Sequence, residues 1–141
     1  PPVFSRGEIR EVNGEPVEFI LVQNPISLQL NLNNLKGNPD QVFFAIGRDV
    51  HDPSWMWTVD PKNLNSVSMV SGFNYADAAL LLEYQDIKID VVEREYFKAI
   101  DAFFALPKPS NGIKTVIYSA DAMRRLRRYK GFTDPEDVKR V

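Results

Sequence analysis

The side chains best suited to chemistry in this sequence lie in one short stretch, from Gly47 to Trp57. It reads Gly-Arg-Asp-Val-His-Asp-Pro-Ser-Trp-Met-Trp and holds the only histidine, both tryptophans and two carboxylates, Asp49 and Asp52. A histidine beside a carboxylate is suited to general-base chemistry, and carboxylates alone suit only a hard cation. The stretch belongs to a loop, residues 47–62, that is unusually long for a compact α/β protein, which is typical of a functional loop.

Each of these residues also has a purely structural interpretation. His51 and Asp52 are neighbours, and neighbouring side chains in an extended segment point to opposite sides. No nucleophile accompanies them, so an independent hydrolase is the least supported interpretation, and no metal site is predicted. Asp49 and Asp52 fit turns or helix caps, and Trp55 and Trp57 fit the edge of a core. The chain has no cysteine, which excludes disulfides, thiolate ligands and a cysteine nucleophile.

Two further positions are candidates for a ligand or an interface. Asn24 precedes a proline, and this pair favours a helix start with Asn24 as its cap; a ligand contact is the alternative. Ser71-Gly72 is a tight strand-to-helix turn, but the chain has neither G-x-G-x-x-G nor G-x-x-x-x-G-K-[ST], so no nucleotide cradle is expected. A cluster of arginines near the end of the last helix fits a solvated face, with an anionic partner as the alternative: Arg124, Arg125, Arg127 and Arg128.

Strand and helix signals alternate along the chain and place the loop. Asn13-Gly14 favours a tight type I′ turn and predicts a hairpin of residues 8–12 and 17–22. The remaining strands are predicted at 42–46, 66–70, 87–92 and 113–118, and the helices at 25–35, 76–84, 93–105 and 120–129. We therefore predict an α/β fold, Rossmann-like, with a mostly parallel sheet of five or six strands, helices on both faces and an N-terminal β-hairpin.

Composition limits the class of protein. With 141 residues, 44% of them hydrophobic and 26% charged, the chain fits a single domain over 1–141, with a polar tail at 131–141 that is expected to be flexible. No apolar segment is long enough for a membrane span, and no signal peptide is predicted. The net charge of −2 gives no reason to expect nucleic acid. Because the chain begins Pro1-Pro2, we interpret it as part of a larger cytoplasmic protein.

The order of these motifs resembles the C-terminal domain of the MurT family, the Mur-ligase-like subunit of lipid II isoglutaminyl synthase. The resemblance is carried by residues 21–25 (L-V-Q-N-P), by the D-P-S-W-x-W motif of residues 52–57, and by residues 70–72 (V-S-G) with the Y-A-D that follows. It covers roughly Phe4 to Arg128. The sequence departs from the family pattern at Gln23, where Lys is expected, and at Thr58, where Asp is expected.

This resemblance implies a ligase that works only within a complex. The family's complex amidates the α-carboxyl of D-glutamate in the lipid II stem peptide during peptidoglycan synthesis, using ATP and glutamine. The MurT-like subunit activates the carboxylate as an acyl phosphate, and a separate glutaminase subunit, GatD, releases ammonia. The implied assembly is a cytoplasmic heterodimer with ATP and Mg²⁺ in the full subunit, no cofactor in this domain and no activity of the domain alone.

The resemblance also assigns roles to residues. The family's C-terminal domain docks on GatD and supplies the Asp of a Cys-His-Asp triad; the best match is Asp52, and the runner-up is Asp49. Four other residues are expected at the substrate or the interface: Asn24, Trp55, Trp57 and Ser71. The alternative function is a Mur-ligase-type C-terminal binding module that closes over substrate and ADP and has no catalytic residue of its own.

Overall fold

Six strands form one sheet in the computed structural model, which describes residues 7–35 and 39–132. The strands are β1 Glu8–Val12, β2 Glu15–Leu21, β3 Val42–Ala45, β4 Ser66–Ser71, β5 Lys88–Val92 and β6 Lys114–Tyr118. Their order across the sheet is β1-β2-β6-β3-β4-β5. The β1–β2 pair is antiparallel and the other neighbouring pairs are parallel. This confirms the predicted mostly parallel sheet with an N-terminal hairpin.

The hairpin turn determines how the sheet begins. Asn13 and Gly14 have φ angles of 52° and 83°, and a type I′ turn requires positive φ at both central residues. The turn pairs Val12 with Glu15, so β2 begins two residues earlier than the sequence predicts. Val12 and Val17 are both buried, which gives the hairpin one apolar face.

Helices cover both faces of the sheet, as the sequence predicts. They are α1 Pro25–Asn33, α2 Tyr75–Tyr84, α3 Tyr96–Phe104 and α4 Ala120–Lys130. The helices α1 and α2 pack on the face that carries Ile20 and Phe44, whereas α3 and α4 pack on the face that carries Phe19 and Phe43. Successive strand residues thus enter opposite cores. Within the described ranges, each helix falls short of the length and apolar character that a membrane crossing requires.

One helix differs from its predicted form. The sequence predicts a helix over residues 93–105 with Phe97 pointing inward, but α3 begins at Tyr96 and 42% of Phe97 is exposed. The buried residues Tyr96, Ile100 and Phe103 follow the three- and four-residue spacing of one helix face. Phe97 lies in the first turn at the margin of that face, and its ring stacks on Tyr129 of α4 near the surface.

The long loop after β3 is also more ordered than a simple connection. It contains a 3₁₀ helix, Pro53–Thr58, with Asp52 as its N-cap. Met56 is fully buried in the core beside α1 and α2, and Val50 is buried nearby. The loop is therefore pinned to the domain by apolar contacts on both sides of Asp52.

Two predicted features fall partly on residues that the structure does not describe. The helix α1 ends at Asn33, and the Gly37 and Asn38 that were predicted to terminate it lie outside the described residues. Residues 133–141 of the predicted flexible tail also lie outside them. The helix α4 ends at Lys130, and its C-cap is Gly131, whose φ of 72° is the left-handed conformation that glycine favours after a helix.

Candidate functional site

The candidate residues lie at one end of the sheet. Because five strands are parallel, the segments after β2, β6, β3, β4 and β5 all leave the sheet at its carboxyl end. Asn24 follows β2, Ser119 follows β6, and the loop with both candidate carboxylates follows β3. The sequence predicts this placement for Asn24 and for the loop, but not for Ser119.

The first part of the loop, residues 47–50, is bonded to the start of α4; we call it the anchored half. The Oδ1 of Asp49 accepts hydrogen bonds from the hydroxyl of Ser119 at 2.8 Å and from the amide of Asp121 at 3.0 Å. Its Oδ2 accepts from the amide of Ala120 at 3.0 Å. Ser119 is the N-cap of α4 but makes no side-chain cap bond to it. Asp49 therefore caps α4 from another part of the chain.

Further contacts, from Asn74 and from the start of α4, hold the anchored half in place. The buried side-chain amide of Asn74 donates to the carbonyls of Gly47 and Val50, both at 2.9 Å. The amide of Gly47 donates to the Ser119 hydroxyl at 2.7 Å. A Cβ at position 47 would lie 2.9 Å from the backbone nitrogen of Ala122, so only glycine allows this close approach. The anchored half is a fixed part of the scaffold.

The second part, residues 51–58, contains the 3₁₀ helix and is more exposed; we call it the presented half. Oδ1 of Asp52 accepts from the Ser54 amide at 3.1 Å and from its hydroxyl at 2.6 Å. Oδ2 has no hydrogen-bond donor among residues 7–35 and 39–132. The Ser54 hydroxyl and amide lower the pKa of Asp52, because both stabilise the charged carboxylate. Asp52 is thus an ionised, exposed carboxylate with one oxygen unused.

An exposed apolar patch includes Trp57, from the 3₁₀ helix that Asp52 caps, with Leu80 and Tyr84 from α2. The Trp57 ring is 39% exposed and meets the Tyr84 ring edge-on, with 5.3 Å between ring centroids. Tyr84 and Leu80, one turn apart on α2, are 73% and 58% exposed. Trp55 is half-buried against the core. The expectation that at least one tryptophan ring is exposed is confirmed by Trp57.

Asn24 and Ser71 have different surroundings. The Oδ1 of Asn24 accepts from the amide of Ser27 at 2.8 Å, and the Ser27 hydroxyl accepts from the amide of Asn24 at 3.1 Å, which forms a capping box at the start of α1. The predicted cap is confirmed, and the side chain stays exposed. Ser71 is fully buried, and its hydroxyl has no hydrogen-bond partner in the described part of the chain. Because its side chain is fully buried, Ser71 does not contact a substrate or another protein in this conformation.

His51 is exposed and contributes to no constellation of catalytic groups. Its ring makes no hydrogen bond or ion pair with a described residue, Asp52 included. No group of three His, Cys, Asp or Glu side chains in the described ranges is arranged to hold a metal ion. The loop therefore has a carboxylate positioned for use but no nucleophile–base pair.

Three residues of the site were missed by sequence reasoning: Asn74, Ser119 and Asp121. Asn74 comes just before α2, and Ser119-Ala120-Asp121 begins α4, both of which are helix-start signals. Asp121 accepts from the amide of Arg48 through Oδ2 at 3.2 Å. The helix-start signals were present in the sequence, but the contacts of Ser119 and Asp121 with a loop some seventy residues away depend on β6 lying beside β3. Those of Asn74, with residues 27 and 24 positions away, depend on β4 lying beside β3.

Comparison with known families gives one match. Residues 21–120 match a family model described as MurT ligase C-terminal. The matched range runs from the last residue of β2 to the first residue of α4, and it includes both halves of the loop and the apolar patch. No curated protein matches the chain.

Proposed function

This chain belongs to the MurT ligase C-terminal family, and on that premise we propose that it is the C-terminal domain of the ATP-dependent subunit of lipid II isoglutaminyl synthase. The proposed reaction is amidation of the D-glutamate α-carboxyl in the peptidoglycan stem peptide, with glutamine as the amido donor. We place the reaction in the cytoplasm. In this proposal the domain docks a GatD-type glutaminase as a heterodimer, and Asp52 completes the glutaminase's Cys-His-Asp triad.

The observation that carries the proposal is the unused oxygen of Asp52. A Cys-His pair needs a carboxylate that accepts from the second ring nitrogen of the histidine, holds its tautomer and stabilises the imidazolium. Asp52 is exposed and held by Ser54 through Oδ1 alone, which leaves Oδ2 for such a bond. Asp49 is unsuited to this role because both of its oxygens already accept bonds from the start of α4.

The apolar patch supports docking next to this carboxylate. Interfaces concentrate their binding free energy in a few well-packed aromatic residues surrounded by polar ones. Trp57 already rests against Tyr84, so its ring loses little conformational freedom when a partner covers it. We propose that the glutaminase covers this patch and brings its histidine to Asp52.

We assign ATP and Mg²⁺ to the rest of the ligase subunit. The chain has no phosphate-loop motif, and its described residues offer no arrangement of His, Asp and Glu for a metal. When bound there, ATP and Mg²⁺ would supply the activation of the carboxylate. The role of this chain's own residues is to bind the glutaminase and to hold a proton-accepting oxygen in place, so we expect no activity from the chain alone.

Binding to the glutaminase tests this function directly. We expect this chain and a GatD-type glutaminase to form a one-to-one complex in size-exclusion chromatography, and an unrelated glutaminase to give none. A Mur-ligase-type binding module that only closes over substrate and ADP predicts no such complex. Absence of the complex at micromolar concentrations would therefore favour that alternative.

A further inference from the structure

A second feature at the carboxyl end of the sheet is a cleft of about 470 Å³ beside the ends of β4 and β5. Three arginines from three different elements line it: Arg48 from the anchored half, Arg94 from the segment after β5, and Arg125 from α4. Glu95 lines it as well. Neither Asp52 nor the apolar patch lines this cleft, so its ligand is independent of the proposed glutaminase contact.

Aromatic rings hold two of these arginines in place. The guanidinium of Arg48 lies 5.0 Å from the centre of the Phe73 ring. The guanidinium of Arg125 lies 5.2 Å from that of Phe97, whose ring stacks on Tyr129 at 4.4 Å with the planes 6° apart. Stacking occupies the flat faces of a guanidinium and leaves its N–H edges for a ligand.

The positive charge of the cleft is not neutralised within the part of the chain that the structure describes. None of the three arginines forms an ion pair there. Glu93 nearby is engaged by Lys98 at 3.7 Å and by the Glu95 amide at 2.9 Å, and Asp121 accepts from the backbone of Arg48. Three arginine charges thus share a cleft lined by one carboxylate, an arrangement that an anion would stabilise.

The helix α3 adds to this potential independently of the arginines. It begins at Tyr96, a lining residue of the cleft, and its N-cap Glu95 makes no side-chain cap bond. The amides of a first helical turn and the positive end of the helix dipole attract anions.

We propose that this cleft binds a phosphate group. One arginine fork satisfies a carboxylate, whereas the oxygens of a phosphate accept from several guanidinium groups at once. Phe73 and Phe97 line the cleft and are 60% and 42% exposed overall, which suits contact with the organic part of a phosphate ester. The ligand class is therefore a free phosphate or a phosphate ester.

Calorimetric titration of this chain at constant ionic strength tests the site. The probes are inorganic phosphate and phenyl phosphate, and the variants are Arg94→Gln in the cleft and Arg124→Gln as a control. Arg124 is exposed on α4, does not line the cleft and gives the same change in charge. We expect saturable binding that Arg94→Gln weakens about tenfold or more, since a bond to a charged group contributes roughly 1.5–3 kcal/mol, while Arg124→Gln leaves the affinity unchanged.

The outcomes separate the ligand sources. Tighter binding of phenyl phosphate than of phosphate assigns the site to an ester, and equal binding assigns it to free phosphate. Lack of saturation, or equal weakening by Arg94→Gln and Arg124→Gln, would overturn the site. Tighter binding of a tetraglutamate peptide than of either phosphate would overturn the assignment to phosphate in favour of an acidic protein segment.

Discussion

The two halves of the loop after β3 use the same residue type in opposite ways. In the anchored half, both oxygens of Asp49 accept hydrogen bonds, and all three donors belong to the start of α4. In the presented half, Asp52 accepts only from Ser54, two residues away, and its Oδ2 has no donor among the residues that the structure describes. The first carboxylate is part of the scaffold, and the second is carried by it.

This difference separates an aspartate that the fold uses from one that is available for the proposed role, a distinction that sequence alone does not make. A carboxylate whose two oxygens both accept hydrogen bonds from a distant element stabilises the fold and has little capacity left for a partner. A carboxylate held only by its own turn keeps its position and its charge, and it contributes little to the fold. Positioning of this kind lowers the entropy cost of building a site across two chains.

The largest expected effect follows from Asp52→Asn in the complete ligase–glutaminase complex. We expect glutamine hydrolysis to fall by roughly 10³–10⁴-fold, because an amide neither holds the partner histidine in the right tautomer nor balances its charge. The domain should keep its melting temperature, since Asn caps a helix about as well as Asp. Amidation with free ammonia should continue.

The matched control is Asp49→Asn, for which we expect less than about a tenfold loss of hydrolysis. The asparagine side chain keeps one of the two oxygens that accept hydrogen bonds in the anchored half. Full hydrolysis in Asp52→Asn with a large loss in Asp49→Asn would transfer the role to Asp49. Full hydrolysis in both variants would remove the triad role from this loop.

Asp49→Ala tests the anchored half through stability. Loss of the cap of α4 and of the acceptor for the Ser119 hydroxyl should lower the free energy of unfolding by about 2–3 kcal/mol. Urea denaturation of the chain measures this directly, with Asp52→Ala as the comparison, for which only a minor change is expected. Equal stability of the two variants would contradict the division of the loop into halves.

Trp57→Ala tests the apolar patch. Truncation of a central aromatic residue should weaken binding of the glutaminase by roughly tenfold or more, while the far-ultraviolet spectrum of the chain stays native. Ile9→Ala is a control, because Ile9 is exposed on β1 at one edge of the sheet, whereas the patch belongs to the loop and α2. If both variants bind as tightly as the original chain, the glutaminase docks elsewhere.

The smallest effect concerns the charge of Asp52. Ser54→Ala removes the hydroxyl that contributes most to lowering the pKa of Asp52, so the pKa should rise toward its ordinary value. The folded-state pKa is depressed, so the charged form stabilises the turn above the unfolded-state pKa, and this contribution disappears as the pH falls through the folded-state value. Carbon-13 NMR titration of the carboxyl measures the shift, and Ser110→Ala, remote in sequence, serves as the control. An unchanged pKa would show that the amide alone sets it.

Much of the fold was predictable from local sequence. Asn13-Gly14 determines the hairpin because its two residues tolerate positive φ, and Asn24-Pro25 determines the start of α1. The alternation of apolar strands and amphipathic helices predicted the parallel sheet and the carboxyl end from which the loop emerges. The prediction that Phe97 points inward was wrong, because this residue lies in the first turn of α3 and its ring packs on Tyr129 of α4 near the surface.

The sequence by itself determined which residues were available: two carboxylates, one histidine and two tryptophans between Gly47 and Trp57, in a loop too long for a plain connection. It did not determine which carboxylate was already in use. The strand order determines which carboxylate is in use: β6 lies between β2 and β3, and this brings the start of α4 against Asp49. Hydrogen bonds between residues about seventy positions apart leave little trace in local sequence, so only the tertiary structure shows Asp49 as anchored and Asp52 as presented.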